Sequence, residues 1–230
     1  MKLSAAQIDQ LYTFTKQHYV EYYDLQTELV DHLANAIELE WETNPTLSFE
    51  TLLNNEFKKF GVFGFMDVVE KKQKAMNKRY NNWVWNHFKA FFKLPKIIGT
   101  LLSVLLLFHM MKSITISHEV ASLLTLIILI SLWAGLIRMN KKRIKTAKEE
   151  GKKWLLKDII YGYSSMAGMS YLPFQIVLHF ENHPNQIMLF FMSLFIVSML
   201  IVEYIILFEI PSKAQEYLEK TYPEYKLSLT

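Results

Sequence analysis

Residues 120–137 read VASLLTLIILISLWAGLI, an apolar run without one charged side chain, bracketed by Glu119 ahead and by Arg138, Lys141, Lys142 and Arg143 behind. Three further apolar stretches lie beyond residue 90. They are Ile97–Met111, Ile159–Phe180 and Ile187–Phe208, and only the last contains an acid, Glu203. A helix rising about 1.5 Å per residue needs about 20 apolar residues to cross about 30 Å of hydrocarbon. The first stretch falls short of this. It is lengthened by Leu94-Pro95 before it and Ser113–Ser117 after it, if Lys96 and Lys112 snorkel. The expected fold is all-α, with a small cytoplasmic helical domain over residues 1–75 followed by a basic aromatic helix over 76–94. A four-helix transmembrane bundle over 95–210 comes next, interrupted by a basic cytoplasmic loop at 138–158, and the tail is 211–230.

Charge sets the expected orientation. Eight Lys/Arg and no acid lie between Lys71 and Lys96, and nine Lys/Arg lie between Arg138 and Asp158. The other two connections carry only Lys112, Glu119 and Glu181. Because basic flanks stay on the cytoplasmic side, both termini are expected inside, in a multi-pass protein of a bacterial inner membrane. Trp83, Trp85, Phe88, Phe91 and Phe92 interleave with Lys89 and Lys93. This pattern suits rings at headgroup depth with lysines on anionic lipid. A basic aromatic stretch could also bind nucleic acid, but its position against an apolar run speaks for lipid, so no nucleic-acid partner is expected. Residues 1–70 hold twelve acids against four bases, so the head is acidic. The polar N-terminus ahead of the first apolar run reads as a domain and not as a cleaved signal.

Within the head, Ser4-x-x-Gln7 is a capping box that opens a first helix carrying Ile8, Leu11, Tyr12 and Thr15 on one face. A second helix, Tyr23 to Trp41, repeats Leu25, Leu29, Leu33, Ile37 and Trp41 and leaves Asp24, Glu28, Asp31, Glu38 and Glu42 outward. Thr43-Asn44-Pro45 breaks it. Ser48 caps a third helix, Gly61 ends it, and a fourth begins near Phe63 and runs to Tyr80.

Tyr22/Tyr23, Glu28-Leu29-Val30-Asp31-His32-Leu33, Leu47-Ser48-Phe49-Glu50 and Phe60-Gly61 together resemble the HAAS-type domain over residues 18–70. That domain is an N-terminal helical module of bacterial multi-span membrane proteins associated with PadR-like transcriptional regulators. Val62-Phe63 stands where the family often has Asp-Pro. The resemblance implies signalling or regulatory coupling at the inner membrane surface, with a cytoplasmic protein partner such as a transcriptional regulator.

Few residues suggest chemistry. Glu28 and His32 are four apart with Asp31 beside them. They form either an i,i+4 hydrogen-bonded pair or an incomplete metal set, since catalytic zinc needs a further ligand. Glu203 is the sixth residue from the end of its apolar stretch, where a carboxylate must face other helices, protonate or pair. Its expected partners are Tyr161, Tyr163 or Ser164. His109, His118, His179 and His183 fall near the ends of apolar stretches and are weak metal candidates. Ser164-x-x-x-Gly168, Gly99-x-x-x-Ser103 and Ser131-x-x-x-Gly135 are small-residue faces for close packing or self-association into a homo-oligomer, and Pro173 should bend its helix. The chain has no cysteine, which excludes thiolate sites and cysteine nucleophiles. With no glycine-rich phosphate loop and no paired catalytic carboxylates, no cofactor and no catalytic residue is expected. The function expected from sequence is an inner-membrane regulatory or adaptor protein, with a small transporter or membrane-embedded enzyme using Glu203 as the alternative.

Overall fold

The computed structural model describes residues 2–113, 118–162, 185–222 and 225. All regular structure among them is helical. In chain order the helices are α1 (Ala5–Gln17), α2 (Tyr23–Thr43), α3 (Phe49–Lys58), α4 (Met66–Phe91), α5 (Lys96–Ser113), α6 (His118–Glu150), α7 (Leu155–Tyr161) and α8 (Gln186–Tyr204). A π-helical turn (Ile205–Glu209), the short α9 (Ile210–Ser212) and α10 (Ala214–Thr221) follow. The chain divides into two compact units: residues 1–78 with 146–158, and residues 79–145 with 159–230.

The first unit starts as its caps dictate. Ser4 Oγ accepts from the Gln7 amide while Gln7 Oε1 accepts from the Ser4 amide at 2.8 Å, closing the capping box. Ser48 Oγ accepts from the Thr51 amide to open α3, and the Trp41 indole N–H donates to the Leu47 carbonyl at 2.9 Å across the Pro45 break. Leu25, Leu29, Leu33, Ile37 and Trp41 of α2 are all buried, as are Leu11 and Thr15 of α1 and Leu52 of α3, and α2 packs on both of those helices. Gly61 takes φ +79° after α3, the left-handed stop that glycine adopts without a Cβ penalty.

The expected boundary of this unit at residue 75 needs correcting, because residues 146–158 complete its core. The basic connection is not a loop either. α6 continues to Glu150 and ends at Gly151, whose φ is +62°. The chain then runs onto the start of α2, where the Tyr23 amide donates to the Lys153 carbonyl at 2.7 Å and the Leu155 amide to Asp24 Oδ1 at 3.1 Å. Trp154, Leu155 and Leu156 are buried there, and the Trp154 ring meets Tyr23 edge-on at 5.4 Å. Asp24 and Glu38, expected outward, both accept backbone N–H groups; Glu38 takes that of Leu3 at 2.8 Å.

Tyr22 lies in the same seam and donates to Asp158 Oδ2 at 3.3 Å. Burial, with the Asp158 carboxylate adding to it, pushes this phenol up to about 12. Above the ordinary tyrosine value the unfolded chain loses a proton that the folded unit keeps, so stability from this site is complete below pH about 10 and falls as pH rises towards 12. Comparing ultraviolet phenolate titrations of the wild type and Tyr22→Phe should isolate a late-titrating tyrosine. Asp158→Asn should bring it down, and a Tyr22 that titrates at the ordinary value would count against this seam.

In the second unit α5 packs on α8; Val104 and Met111 of one and Met192, Ser193 and Val197 of the other are buried, and the Ser193 hydroxyl lies 3.5 Å from Met111 Sδ. The Ser193 hydroxyl returns to the Leu189 carbonyl at 2.8 Å. The expected four-helix transmembrane bundle is not what this unit supports. Among the described residues one helical segment, Gln186–Ser212, is long and apolar enough to cross a membrane, or two if α4 and α5, bent by 77°, count as one broken span. A buried core helix passes the same test of length and composition. The first stretch forms an 18-residue helix with a lysine near each end. The second belongs to a 33-residue helix that runs on through the basic segment. The third lies largely outside the described residues, as do Pro173 and Ser164-x-x-x-Gly168. The multi-pass placement in a bacterial inner membrane, with both termini cytoplasmic, loses its basis with the bundle. The basic aromatic segment is likewise no separate helix, since α4 runs unbroken from Met66 to Phe91, and the expected tail forms α10 with Ala214 and Leu218 buried.

Candidate functional site

The second unit shows most of its unusual chemistry on its surface. α5 exposes Ile98, Leu102, Leu105 and Leu106 at steps of three or four residues. Those steps draw one stripe on a helix. α6 does the same with Leu126, Ile127, Ile130 and Trp133, and α8 with Ile187, Phe191 and, farther on, Tyr204. Scattered apolar side chains on a surface need no explanation, but stripes on three helices exceed what a monomer normally leaves to water. The α4–α5 corner adds charge to them. Trp85, Phe92 and Leu94 are exposed, as are Lys89, Lys93 and Lys96. The Lys89 ammonium lies 6.0 Å from the Trp85 ring and that of Lys96 4.4 Å from the Phe91 ring.

Glu203 faces another helix, as expected, but its partner is different. Ser131 Oγ of α6 donates to its carboxylate at 2.8 Å. Tyr163 and Ser164 lie outside the described residues, and Tyr161 has the Lys142 ammonium 5.0 Å from its ring instead. Ser131-x-x-x-Gly135 is a close-approach face: a Cβ on Gly135 would stand 2.5 Å from Leu207 Cδ1. The other face, at Gly99, meets open space.

In the first unit, Glu28, Asp31 and His32 line an open groove of about 380 Å³ floored by Leu25, Leu29 and Phe60. The expected Glu28–His32 pair does not form. Glu28 takes Lys72 of α4 at 2.7 Å, and His32 stands edge-on to Phe60 at 6.0 Å. Of the four distal histidines, His109 is exposed beside Phe108, while the His118 side chain and all of His179 and His183 lie outside the described residues. No group of three or more potential metal ligands exists among the described residues.

One polar cluster escaped the sequence reading. His87 Nδ1 lies 2.9 Å from Glu209 Oε1 and its Nε2 2.9 Å from the Tyr217 hydroxyl. The His87 and Glu209 side chains are only 17% and 14% exposed. A carboxylate can only accept, so in the neutral ring Nδ1 carries the proton and Nε2 accepts from Tyr217. Glu209 Oε2 is buried without a hydrogen-bond partner, and Lys213 Nζ stands 3.6 Å from Oε1. Trp83 stacks on the Tyr217 ring at 4.1 Å. Burial, followed by the carboxylates of Glu216 and Glu209, pushes the Tyr217 phenol upward. The π-helical turn delivers Glu209 to this cluster. Pro211 has no N–H for the Leu207 carbonyl, and the widened turn before it, closed from the Ile210 amide to the Ile205 carbonyl, absorbs that loss. The only signal for it in the sequence is a proline two residues after a glutamate.

No family model, curated protein or solved structure matches this chain. The resemblance of residues 18–70 to the HAAS-type domain is thus not upheld, nor is the link to PadR-like regulators that it implied. Its carrying residues have local reasons in this fold: Ser48 is a helix cap, Gly61 a left-handed stop, and Glu28 the partner of Lys72. The role as an inner-membrane adaptor falls too, as does its alternative of a transporter or membrane enzyme working through Glu203. Both needed a bundle of four spans, and the described residues supply one candidate, or two if the bent pair of α4 and α5 is counted.

Proposed function

We propose that this protein is a lipid-binding helical protein whose second unit recognises anionic lipid surfaces. The observation that carries the reading is the α4–α5 corner, where exposed Trp85, Phe92 and Leu94 interleave with Lys89, Lys93 and Lys96 beside the apolar stripe of α5. Aromatic rings favour headgroup depth and lysines favour anionic headgroups, while acyl chains cover apolar stripes that water would not. The 77° bend between α4 and α5 suits this division of labour. One helix can lie along an interface while the other turns away from it. A protein partner would cover the stripes equally well, but it would not call for lysines and rings at the same corner.

Flotation of the full chain with lipid vesicles tests the reading. The chain should rise with zwitterionic vesicles and more completely with anionic ones, and added salt should erode the difference. Each of Lys89→Gln, Lys93→Gln and Lys96→Gln should weaken binding to anionic vesicles by about 1 kcal/mol, close to fivefold, with little change on zwitterionic ones. A chain that stays at the bottom of the gradient with both vesicle types does not have this function.

A further inference from the structure

The first unit carries an apolar projection of its own between α3 and α4. In Phe60-Gly61-Val62-Phe63-Gly64-Phe65-Met66, Val62 is 98% and Phe63 71% exposed, and Met66 is half exposed, whereas Phe65 is buried at 1%. The loop is a built object. Gly61 and Gly64 both hold positive φ, at +79° and +54°, and the Gly64 amide donates to the Gly61 carbonyl at 3.2 Å. A Cβ on Gly64 would meet the Phe57 ring at 2.8 Å. Directly behind the tip, Phe65 packs against Phe57 at 4.9 Å and Phe60 at 4.8 Å. Two left-handed glycines and a clamp of rings thus hold two large apolar side chains out in water, at a cost that folding alone does not require.

The geometry points to this tip as a wedge that inserts Val62 and Phe63 into the headgroup region of an anionic lipid surface, a second contact that rests on the lipid reading of the other unit. Three exposed side chains are too few for a stable protein interface, which needs about 1,200 Å² of buried surface or more. They are enough for shallow insertion into lipid, where each buried apolar group adds to binding without a matching pocket. The local charge has the right sign as well. Between Glu56 and Lys74 five lysines stand against three acids; Lys59 and Lys74 pair with Glu56 and Glu70 and Lys72 with Glu28, while Lys58 and Lys71, on either side of the tip in sequence, are exposed. Lysines around an apolar tip suit an anionic headgroup layer and add to its attraction.

The absence of cysteine makes the test clean, since one introduced thiol takes one fluorophore. An environment-sensitive label is placed on the full chain at Phe63→Cys, at Leu102→Cys on the α5 stripe, or at Leu39→Cys, an exposed position on α2. With vesicles of phosphatidylglycerol and phosphatidylcholine, the labels at 63 and 102 should shift to the blue and the one at 39 should not. Val62→Asp with Phe63→Asp should weaken partitioning into those vesicles about tenfold. A shift at 102 with none at 63 overturns the wedge and leaves the lipid reading of the second unit in place. No shift at either position overturns both. A shift at 63 that needs no vesicles and grows with protein concentration means that the tip packs against a second copy, and that too overturns it.

Discussion

Trp154→Ala should destabilise the first unit by about 3–5 kcal/mol, the range for truncating a buried aromatic. The ring is 2% exposed and is flanked by Leu155 and Leu156, so its removal leaves a void that the neighbouring backbone cannot easily fill. That backbone is fixed at both ends, by the Tyr23 amide on the Lys153 carbonyl and by Asp24 Oδ1 on the Leu155 amide. The Lys153–Glu21 ion pair beside it, at 2.6 Å, is exposed and contributes little. Urea unfolding of the full chain, followed by hydrogen exchange of the α1 and α2 amides, would show the loss in this unit and little change in α5 and α8. Trp154→Phe should recover part of it. A fragment of residues 1–78 should be largely unfolded, and joining residues 146–158 to it through a flexible linker should restore helicity. A fragment 1–78 that folds as well alone would show that the seam is dispensable.

That seam marks the limit of what the sequence disclosed in the head. Ser4, Ser48 and Gly61 act within a few residues of themselves, and the periodic leucines of α2 report one face of one helix, so these features were legible. The contact between Asp24 and Leu155 joins residues 131 positions apart and leaves no periodic trace in either segment. Asp24 looked like an outward acid because its acceptor role is set by chain that arrives much later.

The apolar stretches misled for a different reason. Length and hydropathy describe a helix that avoids water, and both hydrocarbon and a protein core satisfy that condition. In α8 the buried face toward α5 and the exposed stripe carry the same kinds of residue, so composition could not separate them. At Glu203 the sequence disclosed that a carboxylate so placed needs a neighbour but not which one. In the sequence Ser131 reads only as a small residue, and the same close approach that brings Leu207 to Gly135 brings the Ser131 hydroxyl within reach of Glu203.

The cluster at His87 was the least legible feature and supports the other large prediction. His87→Ala should destabilise the second unit by about 1–3 kcal/mol, because the loss falls on the partners left behind rather than on the histidine. Glu209 would keep one oxygen already without a hydrogen bond and another with only Lys213 at 3.6 Å, in a site that is 14% exposed. The Tyr217 hydroxyl would lose its acceptor at the same time. Tyr217→Phe should cost less, about 0.5–1.5 kcal/mol, since it removes one hydrogen bond and preserves the stack on Trp83. The two changes act on one chain of hydrogen bonds, so the double variant should cost less than the sum of the singles. Thermal melts of the full chain, with hydrogen exchange read at the α10 amides, give both quantities. Single costs below about 0.5 kcal/mol, or strict additivity, would mean that the His87, Glu209 and Tyr217 side chains are merely neighbours. A coupled loss concentrated in α10 is the expected result, because Tyr217 is the side chain through which that helix joins both the imidazole and the Trp83 ring.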